Sequence, residues 1–135
     1  MSTANRRYAV EQRWTPGIAK EGWTPIADLF LSRYTRLGVS SSEAMVIIHL
    51  VSHKWDEELP FPSARRLSER MGMTETAVRN HIRSLEKKQL LRRQRRDGKA
   101  NLFDLSPLFQ KLELTNGEFE ELIRPKKPTK SGLAG

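Results

Sequence analysis

The amino-acid sequence predicts a mainly helical fold with one small β-hairpin. Between residues 25 and 114, apolar residues recur at helical spacing in stretches that capping or breaking residues separate. An arginine-rich stretch leads into an Asp97-Gly98 turn, and polar and apolar side chains alternate over residues 100–105. Two helices joined at a glycine and followed by a hairpin have the order of a winged helix-turn-helix. The 135 residues of the chain are enough for one such domain.

Residues 1–24 are polar and basic, and they predict an extended N-terminal arm in front of a domain at residues 25–114. Trp14 and Trp23 are the large apolar side chains of this arm. We expect them to pack on the domain or on a second copy of the chain.

The first two helices of the domain have clear boundary signals. Proline is tolerated in the first turn of a helix and glycine favours a helix end, so the first helix is predicted between Pro25 and Gly38. Ser40 and Glu43 have the spacing of a capping box, which predicts the start of the second helix. The second helix is apolar over much of its circumference, Met45 included, and is therefore expected to be the most buried.

The next two helices are joined by a short turn. Ser63 is predicted as the N-cap of a short helix that ends at Gly72. Thr74 is predicted as the N-cap of a longer helix over residues 75–88. In this interpretation the short helix supports the longer one, whose outer face suits the width of a DNA major groove.

The hairpin is followed by one more helix. Ser106-Pro107 predicts a cap followed by a proline in the first helical turn. Residues 115–124 are interpreted as a C-terminal helical extension, and residues 125–135 as a basic, disordered tail.

Charge is concentrated in the middle of the chain. The whole chain has a net charge of +8, and residues 61–99 alone carry twelve lysines and arginines against four acidic residues. A basic block of this kind indicates a polyanionic partner such as nucleic acid. An ordinary solvated charged face is the alternative.

The helical wheel of residues 75–88 separates a core face from an outer face. With Val78, Ile82 and Leu85 directed inward, several polar side chains lie on the opposite side or its flank. Arginine can pair with guanine and asparagine with adenine in the major groove. The predicted base-reading residues are Thr76, Arg79, Asn80 and Arg83. A solvated helix side is again the alternative.

The remaining cations and helix caps are predicted to contact DNA phosphates. Strand alternation is expected to place Arg93 and Arg95 on one face of the hairpin. Lys88 is expected to meet phosphate together with its neighbour Lys87. The alternative for the hairpin is a charged edge strand that resists aggregation. The predicted backbone and wing contacts are Ser63, Arg65, Arg66, Thr74, Lys87, Arg92, Arg93, Arg95, Arg96 and Lys99.

Residues 25–113 resemble a known family. The matching stretches are Ile26-Ala27-Asp28-Leu29-Phe30-Leu31-Ser32-Arg33-Tyr34, Leu37-Gly38-Val39-Ser40, Phe61-Pro62-Ser63, Leu67-Ser68-Glu69-Arg70-Met71-Gly72-Met73, Val78-Arg79-Asn80-His81-Ile82 and Phe103-Asp104-Leu105-Ser106-Pro107-Leu108. They are similar to the winged-helix domain of bacterial, plasmid and phage replication proteins of the DnaD and RepA types. The resemblance implies double-stranded DNA binding in replication initiation or replisome organisation, contacts with other replication proteins, and a cytoplasmic, nucleoid-associated location.

Aromatic residues near the N-terminus predict self-association. Trp14, Trp23, Phe30 and Tyr34 present more aromatic surface than a free N-terminus usually exposes. We therefore expect a homodimer that forms through the N-terminal region, as the family resemblance also implies.

The sequence gives little indication of catalysis or of metal binding. The chain has no cysteine, no glycine-rich phosphate loop and no nucleophile motif. His49 and His53 have a spacing that can hold zinc, but two non-ligating histidines are the better interpretation. We expect no enzyme activity, no cofactor, no metal and no membrane span. A transcription regulator with the same fold and a winged-helix module that binds protein remain alternative functions.

Overall fold

The computed structural model describes residues 10–53 and 62–116. These residues form a mainly helical fold with one two-stranded antiparallel hairpin, as the sequence predicts. The predictions for residues 1–9, for Trp55 and Phe61, and for residues 117–135 lie outside the described residues. The elements are α1 (Pro16–Ala19), α2 (Asp28–Arg33), a 3-10 helix (Tyr34–Leu37), α3 (Ser41–Ser52), α4 (Ala64–Met71), α5 (Glu75–Lys87), β1 (Arg92–Arg96), β2 (Lys99–Asp104) and α6 (Ser106–Leu114).

The N-terminal arm is not extended throughout, so that prediction is wrong for part of it. Residues 10–13 are helical, and α1 follows directly. The hydroxyl of Thr15 accepts the N–H of Ile18 at 3.1 Å, and Pro16 occupies the first turn. A threonine cap followed by proline is a helix-start signal, and the sequence prediction overlooked it.

Helix α2 begins at Asp28, three residues after the predicted start at Pro25. Asp28 lies in the first turn, where a negative charge is favourable. The helix tightens into the 3-10 helix, which ends at Gly38 with φ of 79°. This left-handed conformation suits glycine and confirms the predicted helix end.

Helix α3 is the central helix of the core. Glu43 donates its N–H to the Ser40 hydroxyl at 3.2 Å, and the Ser40 N–H donates to the Glu43 carboxylate at 2.9 Å, which confirms the capping box. Val46 and Leu50 are fully buried. Met45 is 45% exposed, so the buried face is narrower than predicted.

Helices α4 and α5 have the predicted caps and the predicted turn. Ser63 accepts the N–H of Arg66, Thr74 accepts the N–H of Ala77, and Gly72 is left-handed with φ of 66°. The core face of α5 is also as predicted, and its buried residues are Val78, Ile82 and Leu85.

The register of the hairpin shifts between Gln94 and Arg96. Gln94 pairs with Leu102 and Arg96 pairs with Lys99, so β2 has one extra residue opposite β1. An extra residue of this kind disrupts the ladder locally. Arg93 and Arg96 are half-buried, whereas Arg95 is exposed. Arg93 and Arg95 therefore differ in burial, and the expectation that they share a face stays a prediction.

The N-cap of α6 is Leu105, whereas the sequence predicted Ser106. Ser106 lies inside the first turn, and its N–H donates to the Asp104 carboxylate at 2.9 Å. Helix α6 is tied to α2 because Arg33 donates to the carbonyl and the hydroxyl of the buried Thr115.

The end of α5 is anchored to α3 by a buried carboxylate. The ammonium of Lys88 donates to the Glu43 carboxylate at 2.7 Å and to the carbonyl of Gly38 at 2.6 Å. Burial by itself raises the pKa of Glu43, but hydrogen bonds from Lys88, Ser84 and Ser40 outweigh that effect and lower the pKa to about 2. The ammonium of Lys88 already has two acceptors within the fold, and its contact with phosphate stays a prediction.

We predict that Glu43→Gln lowers the free energy of unfolding by about 2–3 kcal/mol at neutral pH, because Lys88 loses its partner in a partly buried site. The carboxylate has a lowered pKa in the folded chain, so its contribution is present above pH 4.5 and is lost as the pH falls toward 2. Urea unfolding from pH 7 to pH 2 measures both effects, and the difference between the two proteins should vanish at the acid end.

Glu69→Gln is the matched control, because it removes an exposed ion pair with Arg65 and should change the stability far less. Equal stability of the parent and Glu43→Gln at neutral pH would contradict the anchoring role of Glu43.

Candidate nucleic-acid interface

The outer face of α5 exposes all four residues that the helical wheel placed there, which are Thr76, Arg79, Asn80 and Arg83. Arg79 pairs with Glu75 at 3.1 Å, and Arg83 donates to the side-chain oxygen of Asn80 at 2.7 Å. Exposed pairs one helical turn apart are weak, so these groups can exchange partners with a ligand at little cost. Their role in base reading stays a prediction.

Helix α4 contributes further cations beside the turn. Arg66 is exposed, and Arg65 pairs with Glu69 at 3.5 Å across the surface of the helix. The side chains of Ser63 and Thr74 are exposed at the two helix starts, where each caps its own helix. Their contact with phosphate stays a prediction.

The cations of the hairpin divide into exposed and internally bound ones. Lys99 and Arg95 are exposed, and Arg92 is exposed with its guanidinium 3.7 Å from the Asp104 carboxylate. The side chain of Arg93 is only 20% exposed, and it donates to Glu86 of α5 at 2.9 Å. This pair fastens the hairpin to α5.

A cleft of about 240 Å³ lies between α5 and the hairpin. Its floor is apolar, and three guanidinium groups line it. The lining residues among those described are Pro62, Ser63, Ala64, Arg79, Ile82, Arg83, Arg93, Asn101 and Phe103. The sequence prediction missed Asn101 and Glu86, because contacts between a helix and a following hairpin leave no signature in local spacing.

The residues predicted for self-association have different environments. Trp14 is 64% exposed and Trp23 is 44% exposed, and both line a shallow depression with Ile18. Phe30 is 5% exposed and stacks on Tyr34 with ring centroids 5.5 Å apart. Phe30 is therefore a core residue and is not available on the surface, which corrects its predicted role.

The histidines of α3 have ordinary structural surroundings. Nδ1 of His53 lies 3.0 Å from the carbonyl oxygen of His49. Burial and the nearby Arg70 and His53 lower the pKa of His49. Among the described residues, no group of three or more histidine, cysteine, aspartate or glutamate side chains could hold a metal ion. Within the same ranges, no helix has the length and apolar character needed to cross a membrane.

Comparison with known proteins finds one family. A model of the DnaD N-terminal domain matches residues 26–121. The crystal structure of the N-terminal domain of DnaD protein from Geobacillus kaustophilus HTA426 is similar in fold, with a TM-score of 0.55 and 23% sequence identity. That match covers 84% of this chain and 88% of the other. No curated protein sequence matches the chain.

Proposed function

The chain belongs to the DnaD N-terminal domain family, and we propose that it serves DNA replication by binding double-stranded DNA sequence-specifically as a winged helix. The resemblance to DnaD-type replication proteins predicted from the sequence is confirmed. In this proposal the chain acts in replication initiation or as a replisome organiser of a bacterium, plasmid or phage. Other replication proteins are its proposed partners besides DNA.

One observation supports DNA binding above the others. Helix α5 and the hairpin lie on two sides of a single cleft, which Arg79 and Arg83 line from α5 and Arg93 lines from the hairpin. Arg92, Arg95 and Lys99 add exposed positive charge to the hairpin. A major groove admits one helix, and a basic hairpin beside that helix can reach the neighbouring backbone or minor groove. We therefore propose α5 as the recognition helix and β1 with β2 as the wing.

In this proposal the exposed side chains of α4, α5 and the hairpin contact either bases or phosphates. The N-terminal half of α5 enters the groove and reads bases through Thr76, Arg79, Asn80 and Arg83. Arg93 donates to Glu86 through one terminal nitrogen, which leaves other donors of its guanidinium for phosphate. Lys88 is set apart because Glu43 already binds its ammonium. The proposed phosphate contacts are Ser63, Arg65, Arg66, Thr74, Lys87, Arg92, Arg93, Arg95, Arg96 and Lys99.

The exposed tryptophans support a second part of the proposal, homodimer formation through the N-terminal region. Trp14, Ile18 and Trp23 are each more than 40% exposed, and buried tryptophan contributes strongly to protein interfaces. A dimer positions two recognition helices on one duplex, which raises specificity because both half-sites must match.

We predict that Asn80→Ala weakens binding to a preferred duplex by about 1–3 kcal/mol and weakens binding to random duplex less, because the lost contact is to a base. The preferred duplex is obtained by selection from a random-sequence pool, and fluorescence anisotropy gives both affinities. Asn116→Ala, an exposed asparagine at the end of α6, is the matched control. Equal losses on the two duplexes would assign Asn80 to the backbone.

Removal of wing cations is expected to change the salt dependence of binding. Contacts with about five to seven phosphates give a slope of log affinity against log salt near −4.5 to −6. Arg95→Ala with Lys99→Ala should make the slope shallower by about one to two and weaken both duplexes alike.

The control for the wing is Arg13→Ala with Lys20→Ala, two exposed cations of the N-terminal region. It should leave the slope unchanged. If the wing variant keeps the slope and the affinity of the parent, the wing does not touch DNA, and a protein-binding module becomes the better function.

The dimer is tested by Trp14→Ala with Trp23→Ala. Sedimentation equilibrium should show self-association weakened about tenfold or more, because two interface anchors are removed. Met45→Ala, which truncates an equally exposed apolar side chain on α3, is the control. A parent chain that stays monomeric at high concentration would contradict this part of the proposal.

A further inference from the structure

The cleft between α5 and the hairpin concentrates positive charge over an apolar floor. Arg79 and Arg83 reach it from α5, and Arg93 reaches it from β1. None of the described residues that line it is acidic. Like charges in one cleft repel each other, and an anion between them relieves that repulsion.

The three arginines keep hydrogen-bond donors that the fold does not use. Arg83 donates to the neutral amide oxygen of Asn80, and Arg79 to Glu75 on the exposed helix surface. Arg93 donates to Glu86 through one terminal nitrogen, while its Nε is buried and has no hydrogen-bond partner among the described residues. An unsatisfied buried donor is costly, so a shift of the Arg93 side chain that brings Nε to an acceptor in the cleft is favourable.

Two neutral polar side chains also line the cleft. Asn101 of β2 and Ser63 at the start of α4 both line it, and an amide N–H and a hydroxyl can each donate to an oxyanion. Arginine is the side chain best matched to phosphate oxygens, because its planar guanidinium donates two parallel hydrogen bonds.

We propose that this cleft is a phosphate-binding site in which Arg79, Arg83 and Arg93, with Asn101 and Ser63, hold one phosphate group. The occupant is a backbone phosphate of the bound duplex, and this identification rests on the proposed function. One sugar-phosphate strand separates a major groove from the adjacent minor groove. With α5 in one groove and the hairpin at the other, that strand lies over the cleft between them.

The site is tested first without DNA, using inorganic pyrophosphate as the probe. Titration followed by NMR of side-chain N–H groups should show saturable shifts at Nε of Arg93 and at the Asn101 amide. Ala64→Glu places a carboxylate at the cleft and should abolish these shifts. The variant should fold, because glutamate is favourable in the first turn of a helix. Gln110→Glu, which makes the same charge change on α6, should retain them.

The second arm uses the preferred duplex with single uncharged methylphosphonate linkages placed along one strand. One position should reduce the affinity of the parent about tenfold, because a charge-assisted contact is lost. The same linkage should not weaken Ala64→Glu further.

The two experiments distinguish a failure of the phosphate site from a failure of the proposed DNA binding. Absence of saturable shifts at Arg93 and Asn101 overturns the phosphate site, even if the chain binds duplex DNA. Saturable shifts in a chain that binds no duplex support the site, assign it to a free phosphate compound and overturn the proposed DNA function.

Discussion

The position of α5 depends on the anchoring of its C-terminal end. The last carbonyl groups of a helix lack partners within the helix and attract cations. Lys111 of α6 donates to the carbonyls of Lys88 and Gln89 at 3.3 and 3.0 Å, while Lys88 itself reaches Glu43 on α3. Gln89 is left-handed with φ of 60°, so the chain turns away from the helix at this point. Helices α3, α5 and α6 are thereby joined at one place, and the outer face of α5 remains exposed.

The arginines of the hairpin also differ in whether other residues of the fold bind them. The pair between Arg93 and Glu86 binds one arginine to the fold, whereas Arg95 is exposed to solvent. In the sequence these residues carry the same charge, and a charge count does not distinguish their roles. In the structure Arg93 also fastens the hairpin to α5, whereas Arg92, Arg95 and Lys99 are exposed to solvent.

Local signals predicted the elements well, and tertiary contacts account for the errors. Neighbouring residues determine three of these features, so their positions follow from sequence spacing. The features are the capping box of Ser40, the left-handed Gly72 and the hairpin turn at Gly98. Lys88 and Glu43 are 45 residues apart in sequence, and no local pattern indicates that they meet. Phe30 likewise looks like a surface aromatic in sequence but packs into the core. The exposed face of α5 was predictable because one helix determines it.

The most direct test of the account uses the absence of cysteine in the chain. Thr76→Cys, Lys99→Cys and Lys20→Cys each introduce a single thiol that can carry an iron chelate, whose radicals cleave nearby DNA. With the preferred duplex, the account predicts focused cleavage of a few nucleotides from position 76 and from position 99, at adjacent grooves, and little from position 20. Cleavage from position 20 without cleavage from position 76, or uniform cleavage from all three, would contradict it.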